Sequence, residues 1–167
     1  GHDVTLWTRA ESIRDEVNGK HTNAPAVPGL VLDDKLRATC DLAEAVRGAS
    51  VVLIVIPAQA MREVCRGLGD SLAPDQMVLH ASKGLELGTR ARMSEIIAEE
   101  TCARQIGVVS GPNIAHEIAD GKPAGTVVVS RFPRVVEAGR ALLSSPRLMV
   151  FGGSDVVGTE LAGALKN

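Results

Sequence analysis

Apolar positions in this chain gather in short blocks of branched aliphatics, separated by amphipathic or polar stretches. Val4 to Trp7 reads as a short strand. Glu11 to Val17 reads as a helix, and a polar, proline-containing loop runs from Asn18 to Gly29. Leu36 to Thr39 is a weaker strand pattern, after which Asp41 caps a short helix to Val46. Ser50 to Ile56 (SVVLIVI) is the strongest strand pattern. It is apolar on both faces and bounded by Gly48 and Pro57, so it is expected to be central and parallel. Helix is predicted from Gln59 to about Leu72, strand from Met77 to His80, helix from Arg90 to Glu100 and strand from Ile106 to Val109. Asn113 then opens a helix from Ile114 to Ala119. Thr126 to Ser130 (TVVVS) is a strand, Arg134 to Leu143 a helix and Leu148 to Phe151 a last strand, before a closing helix from Asp155 to Lys166.

Strands alternating with helices at this spacing predict a doubly wound, Rossmann-type α/β fold with a parallel sheet. Composition supports it: the chain is 45% apolar, mostly Val, Ile, Leu and Ala, and its aromatics are Trp7, Phe132 and Phe151. Such a core suits strands covered on both faces. A net charge of −2 gives no reason to expect a nucleic-acid partner. No run of about 18 apolar residues is present, so membrane insertion is not expected. The three cysteines, Cys40, Cys65 and Cys102, are scattered, which fits neither a disulfide framework nor a zinc site and suits a reduced cytosol. Gly1 is not an initiator methionine, and Leu165-Lys166-Asn167 stops inside a helical pattern without a terminator. Both ends are therefore expected to be cut from a longer protein.

In open α/β sheets, ligands bind beyond the carboxyl ends of the strands, which directs attention to four places. At the first, Arg9 stands where an acidic ribose ligand is usual, and a guanidinium there can pair a 2′-phosphate. An ordinary solvated arginine is the competing reading. At the second, Ser82-Lys83-Gly84 sets an ammonium beside a glycine, although most lysines simply face water. At the third, Ser110-Gly111-Pro112-Asn113 offers close backbone approach and the start of a helix. A plain helix cap is the competing reading of Asn113, and His116 one turn on reads as solvated. The fourth is the terminal helix. Gly158 and Gly163 each cost roughly 1 kcal/mol there relative to Ala, which suggests another helix or a ligand packed close. Lys166 follows an apolar run, and a lysine in a dry setting can serve as a general base. A lysine snorkelling at a helix end is the alternative.

Taken together, these segments resemble the bacterial-type NAD(P)-dependent glycerol-3-phosphate dehydrogenases. GHDVTLWTR is similar to the family's second strand, VVLIVIPAQAMREV to its fourth strand and following helix, and HASKGLE to its lysine loop. SGPNIAHEIADGKPAGTVVVS resembles the family's longest signature, and LAGALKN the segment holding its catalytic lysine. The resemblance implies hydride transfer between NADP or NAD and a small-molecule substrate, dihydroxyacetone phosphate or glycerol 3-phosphate, in a cytoplasmic enzyme compatible with a homodimer. It implies Lys166 as the general base, Lys83 in contact with cofactor and substrate, Gly111 and Asn113 at the substrate, Ala115 against the cofactor, and no metal. Many members have Ser or Thr where this chain has Asn113.

The family's Gly-rich pyrophosphate loop would precede Gly1, and roughly thirty residues of strand, loop and helix are expected there. In the strand order 3-2-1-4-5-6, that strand lies between Val4–Trp7 and Ser50–Ile56, so a gap with two open edges is expected. Residues 1–152 are read as the truncated nucleotide-binding domain, and 153–167 as the first helix leading to an all-helical substrate domain. A 3-hydroxyacid or 6-phosphogluconate-type dehydrogenase, or a nucleotide-binding module without catalysis, are the alternatives.

Overall fold

The computed structural model describes residues 2–166. The first four elements are β1 (Thr5–Trp7), α1 (Glu11–Lys20), β2 (Arg37–Thr39) and α2 (Leu42–Val46). Then come β3 (Val51–Ile54), a 3-10 turn (Ala58–Ala60) running directly into α3 (Met61–Leu68), β4 (Met77–His80) and α4 (Met93–Glu100). The last elements are β5 (Gln105–Ser110), α5 (Ala115–Ala119), β6 (Ala124–Ser130), α6 (Pro133–Leu143), β7 (Leu148–Gly153) and α7 (Val156–Leu165). The type of every predicted element holds, and the boundaries move for local reasons. α1 extends past Val17 because the Asn18 amide pairs with both the N–H and the C=O of Ala38, docking the helix end on β2. The helix expected from Arg90 starts at Met93, since Arg90 takes a left-handed φ of 62° in the loop before it.

The strands form two sheets. β1 pairs with β2 in parallel, and β3-β4-β5-β6-β7 form a second sheet in that order. The expected gap is present: β1 and β3 do not pair. The Ser50–Ile56 segment, expected to be central, is therefore an edge of the larger sheet, paired in parallel with β4 alone. Its open side leaves Leu53 and Val55 39% and 65% exposed. The sheet is of Rossmann type with one departure from an all-parallel pattern, an antiparallel pairing of β5 with β6. The short α5 segment between them reverses the chain instead of carrying it back across the sheet.

Helices cover both faces of the larger sheet, as double winding requires. Val78 of β4 and Ile54 of β3 pack with Met61, Cys65 and Leu68 of α3 and Ile96 and Ile97 of α4. Leu79, one residue along β4, points the other way with Val109, Val128 and Val150 onto Val135 of α6. All four residues of β4 are buried, which explains the unbroken apolar run Met77-Val78-Leu79. Trp7 and Leu42 pack against the first of these cores, so the small sheet is held by shared side-chain packing. α7, beyond the expected boundary at 152/153, packs back on the sheet through Val156 against Val108 and Val129.

Candidate functional site

Three segments meet at the carboxyl ends of β4 and β5. Ser82 anchors the first: its hydroxyl donates to the Ile56 carbonyl at 2.6 Å and accepts from the Ile56 N–H at 3.3 Å, tying the ends of β3 and β4 together. Ser82 is thus structural, and it aims the next residue. Lys83 reaches across the cleft and donates from Nζ to the Gly111 carbonyl at 2.8 Å. Gly84 is required behind it, with φ of 131° and space for a Cβ only 3.1 Å from the Ala58 methyl.

The second segment follows β5. A Cβ on Gly111 would stand 2.7 Å from the Gly125 carbonyl oxygen and 2.9 Å from Thr126 Cα, so only glycine lets this turn lie against β6. Asn113 does not cap the next helix. Ile114 holds the cap position without any side-chain hydrogen bond, and Asn113 Nδ2 donates instead to Thr126 Oγ1 at 2.9 Å. The Thr126 hydroxyl spends its single proton on the Ser110 carbonyl, also at 2.9 Å, so toward Asn113 it can only accept. This fixes the orientation of the amide. Asn113 Oδ1 is left buried with no protein partner among the described residues. Ala115 is the first residue of α5 and is exposed, as is His116.

The third segment is α7. A Cβ at Gly163 would lie 3.7 Å from both Lys83 Cγ and Ser110 Oγ, so the helix backbone passes close over the ends of β4 and β5. Gly158 has a different cause. Its N–H donates to the Asp155 carboxylate at 2.8 Å, and a Cβ there would collide with that cap. Among the described residues, no second helix packs at either glycine. Lys166 stands three residues beyond Gly163, close to one helical turn, and is exposed beside Leu165, which is 83% exposed. The dry setting expected for Lys166 is not formed by the described residues, because nothing among them covers this side of α7.

Residues 1–135 match the model of the family described as NAD-dependent glycerol-3-phosphate dehydrogenase N-terminus. The chain belongs to that family. Its similarity continues beyond the matched residues. The glycerol-3-phosphate dehydrogenase [NAD(P)+] of Streptomyces griseus subsp. griseus is 41% identical over all of this chain and half of its own length. The glycerol-3-phosphate dehydrogenase structure from Coxiella burnetii superposes with a TM-score of 0.90 at 27% identity, over 96% of this chain and 49% of that one. The corresponding protein of Dunaliella salina gives 0.91 at 25% identity, over 98% of this chain and 29% of that one. The chain thus spans about half the length of the curated relatives it matches.

Within this glycerol-3-phosphate dehydrogenase family domain, the structure brings Lys83, Gly111, Asn113 and α7 together and sets Arg9 apart from them, at the end of β1 in the small sheet. Arg9 is exposed and makes no hydrogen bond or ion pair among the described residues, so its guanidinium is open to an anion. The residues present fit a nicotinamide nucleotide at the unengaged Arg9, and the buried, unpartnered amide oxygen of Asn113 leaves an acceptor for a second bound molecule.

Sequence reasoning missed a buried polar cluster beneath the site. Glu160 of α7 accepts from the Ser94 N–H (2.8 Å) and hydroxyl (2.6 Å) and from Arg92 (2.7 Å), and lies 3.1 Å from His80 Nε2. The His80 contact has ion-pair distance without hydrogen-bond alignment, and both ring nitrogens lack an aligned partner. Burial alone would raise the Glu160 carboxyl. The His80 imidazole and the Ser94 hydroxyl and N–H outweigh it and bring the carboxyl down to about 2. A signal was available, since Glu160 is a lone charge within the apolar stretch VVGTELAGAL.

Proposed function

We propose that this chain forms most of the nucleotide-binding half of an NAD(P)-dependent sn-glycerol-3-phosphate dehydrogenase that interconverts dihydroxyacetone phosphate and glycerol 3-phosphate. The observation that carries the reading is the convergence of Lys83, the Gly111 turn and α7 at the ends of β4 and β5. That is where an open α/β sheet binds its ligand.

The bound NADP or NAD supplies the hydride donor or acceptor at C2 of the substrate. Lys83 spends one of its three N–H donors on Gly111, leaving two for cofactor and substrate oxygens. The Gly111 turn, held close against β6, meets the substrate, and the free Oδ1 of Asn113 accepts from a substrate hydroxyl. Ala115 lies against the cofactor with a side chain too small to obstruct it. Lys166 takes the C2 hydroxyl proton in oxidation and returns it in reduction. Arg9 pairs the 2′-phosphate of NADP. Residues 153–167 lead into a helical substrate domain that covers α7 and dries the surroundings of Lys166.

No metal takes part, and the partner is a small molecule. No helix among the described residues is long and apolar enough to cross a membrane. The same reading makes the whole enzyme a cytoplasmic protein, compatible with a homodimer, supplying glycerol 3-phosphate for glycerophospholipid synthesis.

The experiment is an assay of the full-length enzyme with NADPH and NADH against dihydroxyacetone phosphate, with 3-hydroxy acids and 6-phosphogluconate assayed in the oxidative direction. Turnover of dihydroxyacetone phosphate supports the reading. Preference for a 3-hydroxy acid, or nucleotide binding without turnover of any of these, overturns it. In the same assay Arg9→Ala should lower the NADPH/NADH ratio of kcat/KM, and an unchanged ratio makes Arg9 an ordinary surface residue.

A further inference from the structure

The Glu160 cluster joins three elements that carry or support the site. Glu160 sits on α7 one turn before Gly163 and six residues before Lys166. His80 sits on β4 three residues before Lys83, and Ser94 lies in the first turn of α4. Both carboxylate oxygens are engaged. Oε1 faces His80 Nε2 and accepts from the Ser94 N–H, while Oε2 accepts from the Ser94 hydroxyl and from Arg92. The Ser94 N–H belongs to the first turn of α4 and has no partner within its own helix, so a side chain of α7 caps α4. His80 is fully buried and Glu160 nearly so. Arg92 is further held by Glu95, the other acid facing the cluster.

A buried ionic cluster is a poor way to gain stability, because desolvation offsets much of the attraction and an apolar replacement is often as stable. Its distinctive property is direction. Apolar contacts such as Val156 on Val108 and Val129 tolerate sliding, whereas four contacts aimed at two oxygens admit one height and one rotation of α7. α7 runs over Lys83 and Ser110 so closely that a Cβ added at Gly163 would touch both at 3.7 Å, so that height also bears on the distance from Lys83 to Lys166.

We propose that Glu160, with His80, Ser94 and Arg92, is a positioning residue that locks α7 against β4 and α4 and thereby holds Lys166 in register with Lys83. This rests on the proposed dehydrogenase reading for its catalytic consequence, but its geometric content does not depend on activity. The test uses the full-length enzyme and Glu160→Gln, which keeps size and acceptor capacity but removes the charge. It has two readouts: steady-state kinetics with cofactor titration, and the yield of a Lys83–Lys166 cross-link formed by a short amine-reactive bifunctional reagent and read by mass spectrometry.

The expected result is a kcat lower by about 10- to 100-fold with cofactor Kd within about two-fold of the parent, together with a reduced Lys83–Lys166 yield. His80→Gln should act in the same direction. A role in folding alone would lower Tm and leave both kcat and the cross-link yield of the folded enzyme unchanged, and that outcome overturns the proposal. If Glu160→Gln does not fold, Ser94→Ala removes only the hydroxyl and is read by the same two measurements. If the parent itself does not turn over dihydroxyacetone phosphate, the dehydrogenase reading fails, while the cross-link yield still decides whether Glu160 sets the lysine spacing.

Discussion

Thr126 illustrates how one hydroxyl can decide the chemistry of a neighbour. Its proton goes to the Ser110 carbonyl, so Asn113 must present Nδ2 to it and leave Oδ1 free. Thr126→Val keeps the shape and removes both bonds, freeing the amide to rotate. The loss of a buried partner costs about 1–3 kcal/mol. At roughly 1.4 kcal/mol per decade, kcat/KM for dihydroxyacetone phosphate in the full-length enzyme should fall by about 5- to 100-fold, with little change in cofactor affinity. An unchanged kcat/KM would show that Asn113 does not meet the substrate. Nothing in the sequence separates this role of Asn113 from helix capping. Asn is a favoured cap, and only the antiparallel return of β6 brings Thr126 within reach. Lys83 and Gly111 were legible as candidates because strand ends carry ligands, but their contact with each other spans 28 residues and emerges only in the fold.

Element by element, the blocks of branched aliphatics were enough to read the strands. Met77 to Leu79 of β4 are apolar without alternation because helices lie on both faces of the strand. What the pattern could not supply was pairing. The β5–β6 reversal depends on which segments are available as neighbours, and strand periodicity is the same in either case; the open edge of β3 followed instead from the strand order that the family resemblance implies. Charged contacts between elements were equally hidden, because the Glu160 carboxylate draws on His80, Arg92 and Ser94 from distant parts of the chain. The carboxyl is held at about 2 against an ordinary value near 4.5. A folded-state value below the unfolded one means that its contribution to stability is present above about 4.5 and is lost as pH falls through about 2. Denaturant titrations of the full-length enzyme between these limits should show stability falling with acid, and a shallower slope for Glu160→Gln. Equal slopes would mean that the carboxylate is not held by its donors in the folded state.

At the scale of the whole molecule, the two sheets are the dominant feature. β3 carries unpaired backbone groups along one side, flanked by the exposed Leu53 and Val55. An open, apolar strand edge is a template for another chain. The 167-residue chain expressed alone should therefore associate in a concentration-dependent way, visible by analytical ultracentrifugation, and should melt without one cooperative transition. A monomer with a single sharp transition would show that the shared core around Trp7 closes the gap well enough. The open flank of α7 bears on the proposed chemistry as well, since among the described residues none gives Lys166 the apolar surroundings that its proposed role as general base calls for. The most direct measurement is turnover of dihydroxyacetone phosphate by full-length Lys166→Ala, alongside its affinity for NADPH. The expected result is a kcat lower by about 10²- to 10⁴-fold with cofactor Kd changed by no more than a few-fold. Turnover at the parent's rate would contradict the assignment of Lys166, and with it the placing of the reaction at the ends of β4 and β5 beneath α7.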